Sequence, residues 1–351
     1  MKFLGALIFI LIFQNTAQAS RALILSHQSF YHSDSLISFL LIPTLMDIGK
    51  DQILIESGNT APTAMSTGAA FVGHKMVKGD WLLLAALGEQ NDLIGGARAR
   101  FNLENSQNFM LMQNPVHLNV AYKFWGQSLV LGTSYSKYQN KIGLDQEKAG
   151  TASVGYRYGL LHFDFHLGLS DKSILANGSE LFLEQPMQFI GLYELDSAEL
   201  AIKYESYFQK NKVAGIETIS EDQQSVQISY YDYTRIQDIQ FNYRIEYSSR
   251  TIKNKRTDLV NRVNTFPVTL GFEHHVLPWM NMMASVRQHM FVNQGTGVLH
   301  MPSTTNVNVG AQLLYQDLIV DALVSGISNS TATQNIDGAN LLSQVSLTYK
   351  Y

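Results

Sequence analysis

Residues 161–170 read LHFDFHLGLS, and in them Phe163, Phe165, Leu167 and Leu169 alternate with His162, Asp164 and His166. A period of two puts the apolar side chains on one face of a β-strand and the polar ones on the other. Such a strand faces two different solvents. In a soluble sandwich the apolar face packs on a second sheet and the polar face meets water; in a membrane barrel the apolar face meets lipid and the polar face lines a lumen. The rest of the chain decides between them.

The pattern recurs along nearly the whole sequence. In IQFNYRIEYS (239–248) Ile239, Phe241, Tyr243, Ile245 and Tyr247 share one face, and Gln240, Asn242, Arg244, Glu246 and Ser248 the other. HLNVAYKF (117–124) and VNVGAQLLY (307–315) alternate in the same way. Candidate strands cover 52–57, 68–76, 81–88, 93–101, 116–124, 128–138, 151–158, 161–169, 187–195, 198–208, 225–234, 238–249, 266–276, 279–291, 304–315, 318–326 and 341–351. Most are about 9 to 12 residues long, the length of a tilted bilayer crossing, whereas soluble strands are commonly about five or six.

The connections give an independent test. Short ones at 125–127, 159–160, 196–197, 235–237, 277–278 and 316–317 alternate with long polar stretches at 140–150, 170–185, 210–224, 250–265, 293–303 and 327–340. Short turns at one end and long loops at the other are the habit of membrane barrels. The expectation is an all-β, transmembrane, antiparallel up-and-down barrel over residues 51–351, with short periplasmic turns and long external loops. A closed ring with both ends on one side needs an even number of strands, so either 52–57 or 93–101 is not part of the wall. That leaves sixteen, or fourteen if more of the N-terminal half drops out.

Both chain ends fit export to such a location. The opening MKFLGALIFILIFQNTAQAS has one lysine, an apolar run from Phe3 to Phe13 and the small-x-small pattern of Ala17 and Ala19, so residues 1–19 read as a cleaved signal peptide. The run is about 11 residues, well short of the roughly 20 needed by a spanning helix. In the closing LLSQVSLTYKY, Val345, Leu347, Tyr349 and Tyr351 alternate with polar residues. This resembles the C-terminal strand of Gram-negative outer-membrane β-barrels, with Tyr where Phe is commoner. The resemblance implies recognition by the barrel-assembly machinery, a setting of outer-membrane lipid and lipopolysaccharide, and location in a Gram-negative outer membrane. Residues 20–50, with a helix expected after Ser35, form either a plug inside the barrel or a periplasmic extension. A plug would be similar to the FadL family of transporters, although none of that family's specific motifs is matched.

Other functional classes find little support. The net charge of −4 carries no nucleic-acid footprint, and the absence of cysteine excludes disulfide stapling. No glycine-rich phosphate loop opens a helix, so no nucleotide cofactor is expected. His162 and His166 are four residues apart on a strand, about 13 Å, too far to share one zinc; with Asp164 they read as a wet lumen wall, and no metal site is expected. His166 with Ser170 and Asp171 is too loose a group to name as catalytic, and no enzyme is expected. The stretch SRTIKNKRTDLVNR, with Arg250, Lys253, Lys255, Arg256 and Arg262 against Asp258, reads as a solvated charged loop.

The functional expectation is a porin-like channel for passive diffusion of small solutes, as a sixteen-stranded lumen is wide enough for water unless something fills it. Its candidate lumen residues are Arg98, Arg100, Lys123, Arg157, Asp164, Lys203, Glu205, Arg244, Glu246, Glu273 and Arg287. A FadL-like transporter of hydrophobic compounds and a structural or surface-interaction barrel are the alternatives. By analogy with porins, a homotrimer is a further expectation.

Overall fold

Sixteen antiparallel strands follow one another around a closed ring. The structure is a computed structural model that describes residues 25, 38–47, 51–59, 67–76, 79–88, 115–139, 145–294, 304–329 and 344–351. In chain order the strands are β1 (Gln52–Asn59), β2 (Thr67–Met76), β3 (Trp81–Leu87), β4 (Val116–Phe124), β5 (Gln127–Gln139), β6 (Gln146–Tyr158), β7 (Leu161–Ile174) and β8 (Glu180–Glu194). The second half comprises β9 (Ala198–Val213), β10 (Ile216–Ile236), β11 (Ile239–Asn254), β12 (Val260–Leu277), β13 (Met280–Gln294), β14 (Thr304–Tyr315), β15 (Leu318–Asn329) and β16 (Gln344–Lys350). Each strand pairs with its neighbours in sequence, and β1 closes the ring on β16 from Gln52↔Lys350 to Gly58↔Gln344. The stretch 52–57 therefore belongs to the wall. The candidate at 93–101 lies outside the described residues, and β3 and β4 on either side of it pair directly with each other. Among the described residues the count is sixteen, so fourteen is ruled out.

The alternation becomes a difference in exposure. Phe163, Phe165 and Leu167 are 41%, 39% and 39% exposed, while His162, Asp164 and His166 between them are 0%, 1% and 4%. On β11 Phe241, Ile245 and Tyr247 point out and Asn242, Arg244 and Glu246 are buried. Around the ring the outward set includes Leu83, Leu118, Leu131, Ile202, Ile228, Phe272, Val286, Val309 and Leu313. A closed ring leaves no strand edge, so backbone N–H and C=O groups find their partners within the wall.

At one end the strands are joined by tight turns. Trp125 and Gly126 both take positive φ, 46° and 73°, the geometry of a hairpin turn that matches the strand twist, and Gly126 adopts it without steric cost. At the other end three of the six expected long loops are corrected. Residues 210–224 are mostly strand: β9 runs on to Val213, β10 starts at Ile216, and only Ala214 and Gly215 turn between them. The loop expected at 170–185 narrows to residues 175–179, and that at 250–265 to residues 255–259. Above the lipid nothing demands an apolar face, so the alternation fades while the backbone pairing continues. β10 has 21 residues, about twice the 9–11 needed to cross, and its upper half projects as a hairpin. Irregular pairing marks the transition, opposite Gly150 and Thr151 on β6 and between Glu184 and Met187 on β8. Of the remaining expected loops, residues 140–144, 295–303 and 330–340 lie outside the described residues.

A barrel held by this many wall hydrogen bonds should resist detergent in the cold. Unheated protein is expected to run faster on a detergent gel than boiled protein, and equal mobility would contradict a closed ring.

Candidate functional site

The register aligns the inward side chains in rows across the wall. One row, at the turn end, joins Lys123, Ser128, Arg157, His162 and Leu192. The next, two residues further up each strand, joins Leu82, Ala121, Val130, Gly155, Asp164 and Ile190. The third joins Leu84, Asn119, Gly132, Ser153, His166 and Gln188. The middle row is apolar except for Asp164, which is unusual for a surface expected to hold water.

What covers it is the chain's own residues 38–47. A short helix, α1 (Ser38–Leu41), leads into a single 3-10 turn at Pro43–Asp47. Phe39, Ile42, Leu45 and Met46 are fully buried and form one apolar cluster with Leu54, Leu82, Leu84, Ala86, Val130, Ile190 and Leu192 of the wall. Four nearly complete burials of this size represent on the order of 1.5–3 kcal/mol each in apolar transfer before ordering entropy is counted. Pro43 suits a segment that must not extend into a longer helix, since it cannot donate a backbone hydrogen bond.

Polar contacts set the segment's position along the wall. Thr44 donates from its backbone N–H and from Oγ1 to the two carboxylate oxygens of Asp164, at 3.2 and 2.6 Å. His162 Nδ1 lies 3.0 Å from the same Oγ1, and His166 Nε2 lies 2.9 Å from the Leu41 carbonyl oxygen. Asn119 Nδ2 donates to the Phe39 carbonyl at 3.4 Å. At the turn end Asp47 places one carboxylate oxygen 2.5 Å from Lys123 Nζ and the other 2.7 Å from Arg157, while Lys123 also donates to the Asp47 carbonyl at 2.7 Å. Glu194 stands behind this clasp, 3.2 Å from His162 Nε2 and 3.9 Å from Arg157. Charge-assisted pairs are the stronger kind of hydrogen bond, and Asp47 is shielded enough for screening by salt to be incomplete.

The fit depends on an absent side chain. A Cβ at Gly155 would collide with the Asp164 carboxylate and stand 2.8 Å from Thr44 Cγ2. Further along the N-terminal region, Leu25 is buried, and its carbonyl oxygen lies 3.3 Å from where a Cβ on Gly271 of β12 would be.

The His162, Asp164 and His166 face is therefore not a wet wall; it receives the segment. Among the expected lumen residues, Lys123 and Arg157 are the clasp. Asp164 holds Thr44 in the seat, while Lys203, Glu205, Arg244, Glu246, Glu273 and Arg287 lie on β9 and β11 to β13, in a hydrogen-bonded polar lining. Glu205 accepts from Ser225 at 3.1 Å and lies 3.9 Å from Lys203 Nζ. Glu246 accepts from Gln227 at 3.0 Å and pairs with Arg287 at 2.8 Å. Arg244 stacks over Tyr231 at 5.1 Å. Glu273 accepts from Asn281, which also donates to Gln312, which donates in turn to Asp321. Arg98 and Arg100 lie outside the described residues. In the C-terminal strand Leu347 pairs with Ile55 and Val320, Val345 is opposite Ser57 and Ala322, and the rings of Tyr349 and Tyr351 stack at 6.2 Å. Among the described residues no His, Asp and Glu group is arranged to hold a metal ion.

A closed antiparallel ring, apolar outside and polar or self-filled inside, is stable with its belt in lipid. This is the architecture of an outer-membrane β-barrel. No protein-family model matches the chain, and no curated protein matches it in sequence. Its likenesses to solved structures are distant. CdiB from Acinetobacter baumannii is 9% identical at a TM-score of 0.49, with 86% of this chain and 59% of that one covered. OmpT of Vibrio cholerae is 9% identical at 0.42, over 86% and 96% of the two chains. The outer-membrane channel DcaP of A. baumannii is 9% identical at 0.43, over 86% and 94%. This chain spans 59% of the length of CdiB. The strand pairing of this barrel, and not these likenesses, decides its architecture.

Proposed function

We propose that the protein is a gated outer-membrane channel, in which small solutes cross the lumen when residues 38–47 leave their seat on the wall. The seating of that segment is the observation that supports the reading. An open porin has no use for a buried apolar cluster inside its lumen or for a carboxylate clasped by two cations. The polar lining from β9 to β16, with both signs of charge, supplies a hydrated path once the segment shifts. The segment is held by a limited set of contacts, so its release is a local event that leaves the ring intact.

Single-channel recording in a planar bilayer tests this. The full mature chain is expected to give small or rare steps, and a chain lacking residues 20–47 steps several-fold larger. Equal large steps from both would mean that the segment restricts nothing. Equal silence from two proteins that both show the cold-stable fast gel band would mean that another element closes the barrel.

A further inference from the structure

We propose that the seat of residues 38–47 is a binding site for an amphipathic carboxylate, an apolar body with one terminal anionic group, and that such a molecule opens the barrel by taking the segment's place. The proposal rests on the occluding role of the segment and adds the chemistry of what displaces it.

Three features of the seat support this. The first is order along the strands. The cationic row with Lys123 and Arg157 lies next to the apolar row with Leu82, Ala121, Val130 and Ile190, so a head group held by the first lays its tail along the second. The second is the occupant itself. Leu45 and Met46 pack without any exposure in one cluster with the apolar row, and Asp47, the next residue, supplies the carboxylate at 2.5 and 2.7 Å. The segment has the shape of the ligand it would yield to. The third is charge. Glu194 is the acid on the far side of Arg157 and His162, so the clasp offers two cations to one incoming anion and still has a local counter-ion. A neutral apolar molecule would leave Lys123 and Arg157 facing each other without Asp47, and a cation would add to that repulsion.

Thermodynamics then separates the two halves of the clasp. A ligand that binds only the vacated seat has an apparent affinity reduced by the fraction of molecules that are vacated. Weakening the segment's own anion raises that fraction and tightens ligand binding. Removing the cations from the parent chain loosens the segment and takes away the ligand's partners, two effects that offset; in an Asp47→Asn chain, whose segment has no carboxylate in the clasp, the same removal costs the ligand alone.

The test uses the full mature chain in phosphatidylcholine nanodiscs, with decanoate as the probe. Equilibrium dialysis with labelled decanoate is expected to show saturable binding. Asp47→Asn should tighten it, and adding Lys123→Gln with Arg157→Gln to that variant should weaken it again, each by about tenfold, the scale of one lost charge-assisted pair. Decanol should bind at least about tenfold more weakly than decanoate. Because the chain has no cysteine, a single spin label at Leu41→Cys reports on the segment alone: immobile without ligand, mobile as decanoate saturates. No tightening by Asp47→Asn, no loss on adding Lys123→Gln and Arg157→Gln to it, or decanol equal to decanoate would overturn the ligand class while an immobile starting spectrum preserved the occluding role. A label already mobile before any ligand would overturn the occluding role itself.

Discussion

Replacing Phe165 with arginine lowers the stability of the folded barrel by roughly 2–4 kcal/mol, the cost of a cation on the lipid face near mid-membrane. The position decides the size. Phe165 is the fifth residue of β7, pairs with Val154 and Phe189 on its two sides, and points outward with Phe163 and Leu167 above and below it along the strand. Those neighbours are apolar, so no acid on the face can pair with the guanidinium, and its escape is to stretch toward an interface. Phe165→Leu at the same place keeps the apolar surface and costs less than about 1.5 kcal/mol. Urea unfolding of the barrel in phospholipid vesicles, followed by tryptophan emission, measures both. An arginine variant as stable as the leucine variant would mean that this face does not lie in hydrocarbon, and the barrel reading of LHFDFHLGLS would fall with it.

Different parts of the chain carry their structure in the sequence to different degrees. The wall was legible because lipid imposes a rule that every crossing strand obeys: Phe241, Ile245 and Tyr247 point outward on β11, as their spacing says. Strand length was legible only within the membrane. Residues 210–224 read as a loop because KNKVAGIETISEDQQ has no face to keep apolar, yet most of it is the paired extension of β9 and β10. The seat of the segment was hidden for another reason. Lys123 and Arg157 read as lumen charges because their partner, Asp47, is 76 and 110 residues away in sequence, and no local pattern records such a pairing. One signal of the seat does stand in the sequence. WLLLAAL (81–87) has no polar alternate, and a strand that is apolar on both faces must be covered on both. Leu82, Leu84 and Ala86 are the inward set of that strand, packed in the cluster that holds the segment.

Gly155→Val is the change expected to open the barrel without removing a residue. The inward face of β6 approaches Thr44 at this point, and the added carbons would occupy space already held by the Asp164 carboxylate and, at 2.8 Å from the first of them, by Thr44 Cγ2. The strand itself has no reason to resist: valine favours extended backbone, and the wall hydrogen bonds of residue 155 are unchanged. The strain of about 1–3 kcal/mol that overpacking brings therefore falls on the seat. Asp164 must turn away, and its two hydrogen bonds to Thr44, at 2.6 and 3.2 Å, go with it. At 1.4 kcal/mol per factor of ten, the unseated fraction rises by roughly five- to a hundredfold. Full-length Gly155→Val protein should show frequent large conductance steps and faster proteolysis within residues 38–47, with an unchanged fast gel band. Thr44→Ser in the same chain removes Cγ2 and keeps the hydroxyl, so it should restore part of the occlusion. A Gly155→Val barrel as silent and as protected as the parent would show that the segment does not depend on this contact, whereas opening that Thr44→Ser leaves untouched would move the strain to Asp164 alone.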